Sequence, residues 1–195
     1  MIKRSYNLHR SAVQKLSIVI ALAVAVGGCQ DGGTNKAENS VVETRSNSDT
    51  LTEVLSDNSD LSISAKLIGA AQLGPALDGE GSYTVFLPVD DAWTSLDAAK
   101  RQAIESVENR PQLVAVLRQH IASGYVLSAD LERGLSENNG SVTLTTMGSM
   151  PITLRRDGEA ITLGQGKDAP RIVGLPIVAD NYVIYRIDRL IPPPS

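Results

Sequence analysis

Residues 83–93 read YTVFLPVDDAW, and the stretch changes structural class partway along. Tyr83 to Leu87 is rich in β-branched and aromatic residues, which suit a pleated strand. Pro88 brings no N–H to a ladder and halts it. Asp90 and Asp91 then open a helix, where acidic side chains suit the positive end of the helix dipole, and Trp93 and Leu96 give that helix a buried side. Upstream, Ile63, Leu67, Ala70 and Ala71 fall at helical spacing ahead of Gly74-Pro75, which are expected to stop the helix. Downstream, the clearest helix is expected from Asn109, with Pro111 in its first turn, through Leu113, Val116, Leu117, His120 and Ile121 to Gly124.

After Gly124 the apolar period becomes two: Val142 and Leu144, Ile152 and Leu154, Ile161 and Leu163, then Ile172, Ile177, Val183, Tyr185 and Ile187. The second half therefore reads as strands. Asp157-Gly158 marks a hairpin between two of them, and Pro192-Pro193-Pro194 ends the structure. Helices followed by strands in one segment, residues 50–195, predict an α+β domain around a single core.

The amino-terminal end has a different composition. Lys3, Arg4, Arg10 and Lys15 precede an apolar run from Leu16 to Val26 interrupted only by Ser17, the layout of a cleaved signal peptide. A membrane span needs about 20 apolar residues, so this run is too short to remain as one. Val26-Gly27-Gly28-Cys29 follows and resembles a lipobox, which implies cleavage after residue 28 and a lipid on Cys29, the only cysteine of the chain. Multiple acyl chains anchor a protein where one binds only marginally. Residues 29–49, polar and glycine-rich, bury too little to order themselves and are expected to form a flexible tether. The leader carries four basic and no acidic residues, so its removal takes the formal net charge from −4 to −8. An acidic chain repels phosphate backbones, which argues against nucleic acid as a partner.

Three segments together resemble a fasciclin-type domain. They are YTVFLPVDDAW, LRQHIASGYV from Leu117 to Val126, and IVADNYVIYRIDRLIPP from Ile177 to Pro193. Their order and spacing match the family over nearly the whole span from about Asp49 to Pro193. The sequence departs from the family pattern at Val89, Tyr182 and Tyr185, where Thr, Gly and His are usual. The resemblance implies a compact β-wedge or sandwich with helices packed along one side, and an adhesive rather than enzymatic role at a cell surface or matrix. Carried over by position, it implies contact residues Tyr83, Asp90 and Asp91 in the first segment, His120 and Tyr125 in the second, and Asp180, Asn181 and Tyr182 in the third. It implies no catalytic residue, metal or cofactor.

The residues themselves carry plainer readings. His120 is the only histidine outside the leader and lies on an apolar helix face, so it is expected to be buried and bonded to backbone. A triad of His120 with Ser123 and an aspartate lacks a nucleophile elbow. Asp90 and Asp91 point in different directions on a helix and read as capping residues. The run SDNSD, residues 56–60, lacks the spacing and glycine of a hand-type calcium loop and reads as helix punctuation. Tyr182 and Tyr185 face opposite sides of a strand, so one is expected in the core and the other exposed. The function expected is a lipid-anchored module that contacts a protein or polysaccharide of the envelope or matrix. The alternative is a periplasmic sensor or carrier that holds a small ligand in an apolar crevice. Gln30, rather than Asp, after the lipidated cysteine favours the outer membrane if the source is Gram-negative, with the domain in the periplasm or at the cell surface.

Overall fold

The structure is a computed structural model that describes residues 43–44, 50–106 and 109–192. The leader, Cys29 and most of the expected tether lie outside the described residues. Among the described residues, no helix is long and apolar enough to cross a membrane. The chain begins with β1 (Glu43–Thr44), α1 (Leu51–Ser56), a 3-10 turn (Ser59–Leu61), α2 (Ser62–Ala71) and α3 (Gly74–Leu77). It continues with β2 (Tyr83–Pro88), α4 (Asp90–Thr94), α5 (Ala98–Glu105), α6 (Arg110–Gln119), β3 (Ile121–Ser123) and α7 (Ser128–Glu137). Strands β4 (Ser141–Leu144), β5 (Ile152–Asp157), β6 (Ala160–Leu163), β7 (Ile172–Val178) and β8 (Tyr182–Ile187) complete it.

A five-stranded sheet has the order β1-β7-β8-β2-β3, and a three-stranded antiparallel sheet has the order β4-β5-β6. At the centre of the larger sheet β2 and β8 run parallel, with Phe86 opposite Tyr185 and their rings stacked at 5.6 Å. Both faces of this pair are covered, so the alternation expected at Val183, Tyr185 and Ile187 accounts for one buried face of β8 while Tyr182 and Ile184 fill the other. On one face Val85, Leu87, Tyr182 and Ile184 join Leu51, Leu67, Trp93 and Leu117 from the helices. On the other, Phe86, Val183, Tyr185 and Ile187 meet Leu131 and Leu135 of α7 and Ile152 and Leu154 of the smaller sheet. This is the α+β sandwich with a helical side that the sequence implies.

Polar links fix how the layers join. The Trp93 indole N–H donates to Ser64 Oγ at 2.9 Å, and that hydroxyl donates to the Pro88 carbonyl at 2.7 Å. One buried serine thus ties α2, α4 and the end of β2 together. Arg186 of β8 bonds Asp60 Oδ2 at 2.8 Å, Asn58 Oδ1 at 2.7 Å and the Leu175 carbonyl at 2.8 Å, holding the SDNSD segment against the closing strands. A charged fork bonded to three acceptors is far stronger than an exposed ion pair.

Several expectations are corrected. The helix expected to reach Gly124 ends at Gln119; His120 is its C-cap, and Ile121 to Ser123 pair with β2 instead. The second half is not all strand, because α7 carries Leu131 and Leu135 into the core at helical spacing. Helix α5, started by Asp97, whose carboxylate accepts from the Ala99 N–H at 3.0 Å, was not expected at all. Gln72, left-handed at φ 56°, ends α2, while Gly74-Pro75 opens α3 with Pro75 in its first turn. Ala70 of α2 is exposed. Within the expected tether, Glu43 and Thr44 pair in parallel with Ile177 and Val178.

Candidate functional site

Four of the sequence-derived candidates converge where β2 and β8 begin and β3 ends. The Tyr83 N–H donates to the Asn181 carbonyl at 2.8 Å, and the Gly124 N–H donates to the Ser82 carbonyl at 2.9 Å. Gly124 has φ +102°, a conformation that suits glycine, and from there the chain leads into Tyr125. The Tyr125 hydroxyl donates to the Ala179 carbonyl at 2.7 Å. Burial pushes its pKa up, and the neighbouring Asp180 carboxylate adds to the shift. The Asn181 amide donates to the Leu77 and Gly79 carbonyls at 3.3 and 3.4 Å. Tyr83 and Tyr125 are half-buried and Asp180 is exposed. Tyr83 packs against the helix-side cluster and Tyr125 against the cluster on the other face, so this end of the sheet carries one half-buried tyrosine on each side, near the exposed Asp180 carboxylate. Tyrosine and carboxylate are side-chain types that make directional contacts.

Tyr182 does not share that surface. It is fully buried, and its hydroxyl donates to Asp78; burial first, then the Asp78 carboxylate, pushes its pKa up. Tyr185, on the opposite face, is buried as well and donates to the Val126 carbonyl at 3.0 Å. The two tyrosines do face opposite sides, but neither is exposed, because the sheet has no solvent face at that point.

His120 is also buried. Its Nδ1 lies 2.8 Å from the Val116 carbonyl, which only accepts, so Nδ1 carries the proton. Nε2 is then free to accept from the Ile191 N–H at 3.0 Å. Burial drives its pKa down to about 4. With both ring nitrogens held by backbone, His120 is neither a contact residue nor a base. Among the described residues, no group of three His, Cys, Asp or Glu side chains could hold a metal ion.

The residue before it completes a device the sequence did not reveal. The Gln119 amide donates to the Met150 carbonyl at 2.7 Å, and its oxygen accepts from the Met150 N–H at 3.4 Å. Gly148 packs so closely that an added Cβ would lie 2.9 Å from Gln119 Cα. The end of α6 thus pins the 146–150 loop through Gln119 and the 190–192 segment through His120. These walls and α5 enclose a groove of about 830 Å³, lined by Leu96, Ile104, Val116, Met147 and Leu190 among others, with Lys100 and Arg118.

Asp90 and Asp91 lie at the opposite end of β2 from the tyrosine tip, about 17 Å away at about 3.3 Å per strand residue. The capping expectation needs correcting for Asp90. Its carboxylate accepts from the Ile63 N–H at 2.9 Å and from the Ser62 hydroxyl, so it closes the start of α2 rather than its own helix, whose N-cap is Val89. Asp91 is exposed. The eight candidates therefore do not form one surface.

The larger sheet is thus covered by helices on one face and by α7 and a smaller sheet on the other, an α+β sandwich. The fasciclin domain family model matches residues 59–193, and the chain belongs to that family. It is similar to protein sll1483 of Synechocystis, 28% identical over 146 residues that span 74% of each chain. Protein sll1735 of the same organism is 34% identical over 127 residues, 64% of this chain and 83% of the relative. Human periostin is 26% identical over 122 residues, 63% of this chain but only 13% of periostin. Among solved structures, a FAS1 domain pair from the insect cell adhesion molecule fasciclin I superposes with a TM-score of 0.63 at 20% identity, covering 73% of this chain and 50% of that one.

Proposed function

We propose that the chain is exported, anchored by lipid on Cys29, and serves as a non-enzymatic adhesion module whose contact surface is the Tyr83, Tyr125, Asp180 and Asn181 tip. The observation that supports this reading is the convergence itself. Three segments far apart in sequence meet at one end of the sheet through the Tyr83 to Asn181 and Tyr125 to Ala179 hydrogen bonds. Tyrosine offers large contact area at small entropic cost, and the hydroxyl bond to the Ala179 carbonyl fixes the Tyr125 ring before a partner arrives. The partner class is a protein or polysaccharide of the envelope or matrix, and Gln30 favours the outer membrane in a Gram-negative source. A second reading, a carrier for a small ligand, draws on the apolar groove beside α6 and is compatible with adhesion at the far tip.

The test expresses the full chain in a bacterial host fed labelled palmitate, with a Cys29→Ser variant beside it. The proposal expects label on the parent chain only, with the variant released from the membrane fraction. It expects saturable binding of the anchored domain to purified envelope polysaccharide or matrix protein. Label retained by the variant would refute the anchor. An absence of binding to either partner class would refute adhesion.

A further inference from the structure

We infer that the groove beside α6 is a binding site for a single-chain anionic amphiphile, a free long-chain carboxylate. This rests on the carrier reading of the groove and is independent of adhesion. Its lining is mainly hydrocarbon: Leu96, Ile104, Val116, Met147, Leu190 and Ile191 contribute to it. Of the uncharged polar side chains that line it, the buried Gln119 is already engaged, bonding Met150 through both amide atoms, and Gln112 and Ser149 are exposed. A ligand body seated there finds no free buried donor or acceptor, which selects an aliphatic tail over a sugar or a nucleotide. A volume of about 830 Å³ lies within the range of about 300 to 1,000 Å³ typical of small-molecule sites.

Charge selects the head. Lys100 and Arg118 both line the groove, and none of the described lining residues is acidic. Both cations are exposed, and among the described residues neither is in an ion pair. In a chain with 22 acidic and 18 basic residues, a described lining with two cations and no carboxylate runs against the overall charge. A tail in the apolar trough with a carboxylate at the Lys100 and Arg118 rim satisfies both features. The site is also preformed, because Gln119 and His120 fix its two movable walls, so little ordering is left for the ligand to cause.

Met147 lines the groove, and the chain has 3 methionines, so a methyl-labelled full chain reports on this site directly. Dodecanoate, 1-dodecanol and dodecyltrimethylammonium share one tail and differ only in head charge. Dodecanoate is expected to move the Met147 methyl resonance saturably, at least tenfold more tightly than either of the others. A Lys100→Ala, Arg118→Ala double variant, altered only at exposed positions, is expected to weaken dodecanoate at least fivefold and leave 1-dodecanol unchanged. Equal binding of all three probes, or dodecanoate binding untouched in the double variant, would overturn the anion assignment while leaving an apolar carrier site. No Met147 response to any probe would overturn the carrier reading with it.

Discussion

The two ends of β2 are built on opposite plans. At the Tyr83 end, side chains are fixed by backbone bonds yet left partly in solvent, as with the Tyr125 hydroxyl on the Ala179 carbonyl. At the Pro88 end, polar side chains are consumed inside the fold: Asp90 on α2, Ser64 on Trp93 and Pro88, His120 on Val116 and Ile191. The first plan keeps chemistry available for a partner. The second uses it to hold the frame, and at His120 it fixes one wall of the groove through Ile191. A residue at a family-marked position can therefore serve either the surface or the frame, and burial together with hydrogen-bond saturation decides which.

Substitutions at the two ends should differ in cost accordingly. His120→Ala leaves the Val116 carbonyl and the Ile191 N–H without partners and opens a cavity, so a loss of about 4 kcal/mol is expected from urea unfolding; a loss under about 1 kcal/mol would mean that the walls are held otherwise. Acid should act through the same side chain. His120 is held neutral, with its pKa lowered from 6.5 to about 4, whereas the unfolded chain protonates near 6.5. Its contribution is present above pH 6.5 and lost as pH falls through 4, a loss of about 3 kcal/mol. Unfolding midpoints between pH 7 and 4 should follow this curve in the parent and flatten in His120→Gln.

Gly148→Ala forces a Cβ against the Gln119 backbone. It should cost about 2 kcal/mol and shift the Met147 methyl resonance while leaving the tyrosine tip unchanged. Tyr125→Phe removes one bond to a backbone carbonyl and is expected to cost about 1 kcal/mol in the same unfolding assay. Asp180→Asn, at an exposed position, should change stability by less than about 0.5 kcal/mol yet lower the Tyr125 pKa in a spectrophotometric titration, since one of the two causes raising it is gone.

Much of the frame was legible in the residues because its signals are local. Pro88 after a β-rich run, Asp157-Gly158 between strands, and the alternation Val183, Tyr185, Ile187 of β8 each report on near neighbours. What stayed hidden depends on contacts distant in sequence. His120 and Ile121 continue the helical spacing of α6, yet Ile121 is drawn off by pairing with Val85. One of Tyr182 and Tyr185 was expected to be exposed because nothing local indicates that both faces of β8 are covered. Helices α5 and α7 were passed over although Asp97, Leu131 and Leu135 offered a cap and an i, i+4 pair. The sequence named the candidates by segment and foresaw no common surface: Tyr83, Tyr125, Asp180 and Asn181 come to one end of the sheet, while Tyr182 turns inward to Asp78. The groove had no sequence signature, since its floor is made by Gln119 reaching the Met150 backbone across 31 positions.

The most direct test sets the two ends against each other in the full, anchored chain. Binding to envelope polysaccharide and matrix protein would be measured for a Tyr83→Ala, Asp180→Ala variant and for the Lys100→Ala, Arg118→Ala variant. Adhesion at the tip predicts that the first loses saturable binding and the second retains it. Binding kept by the tip variant and lost by the groove variant would contradict the account.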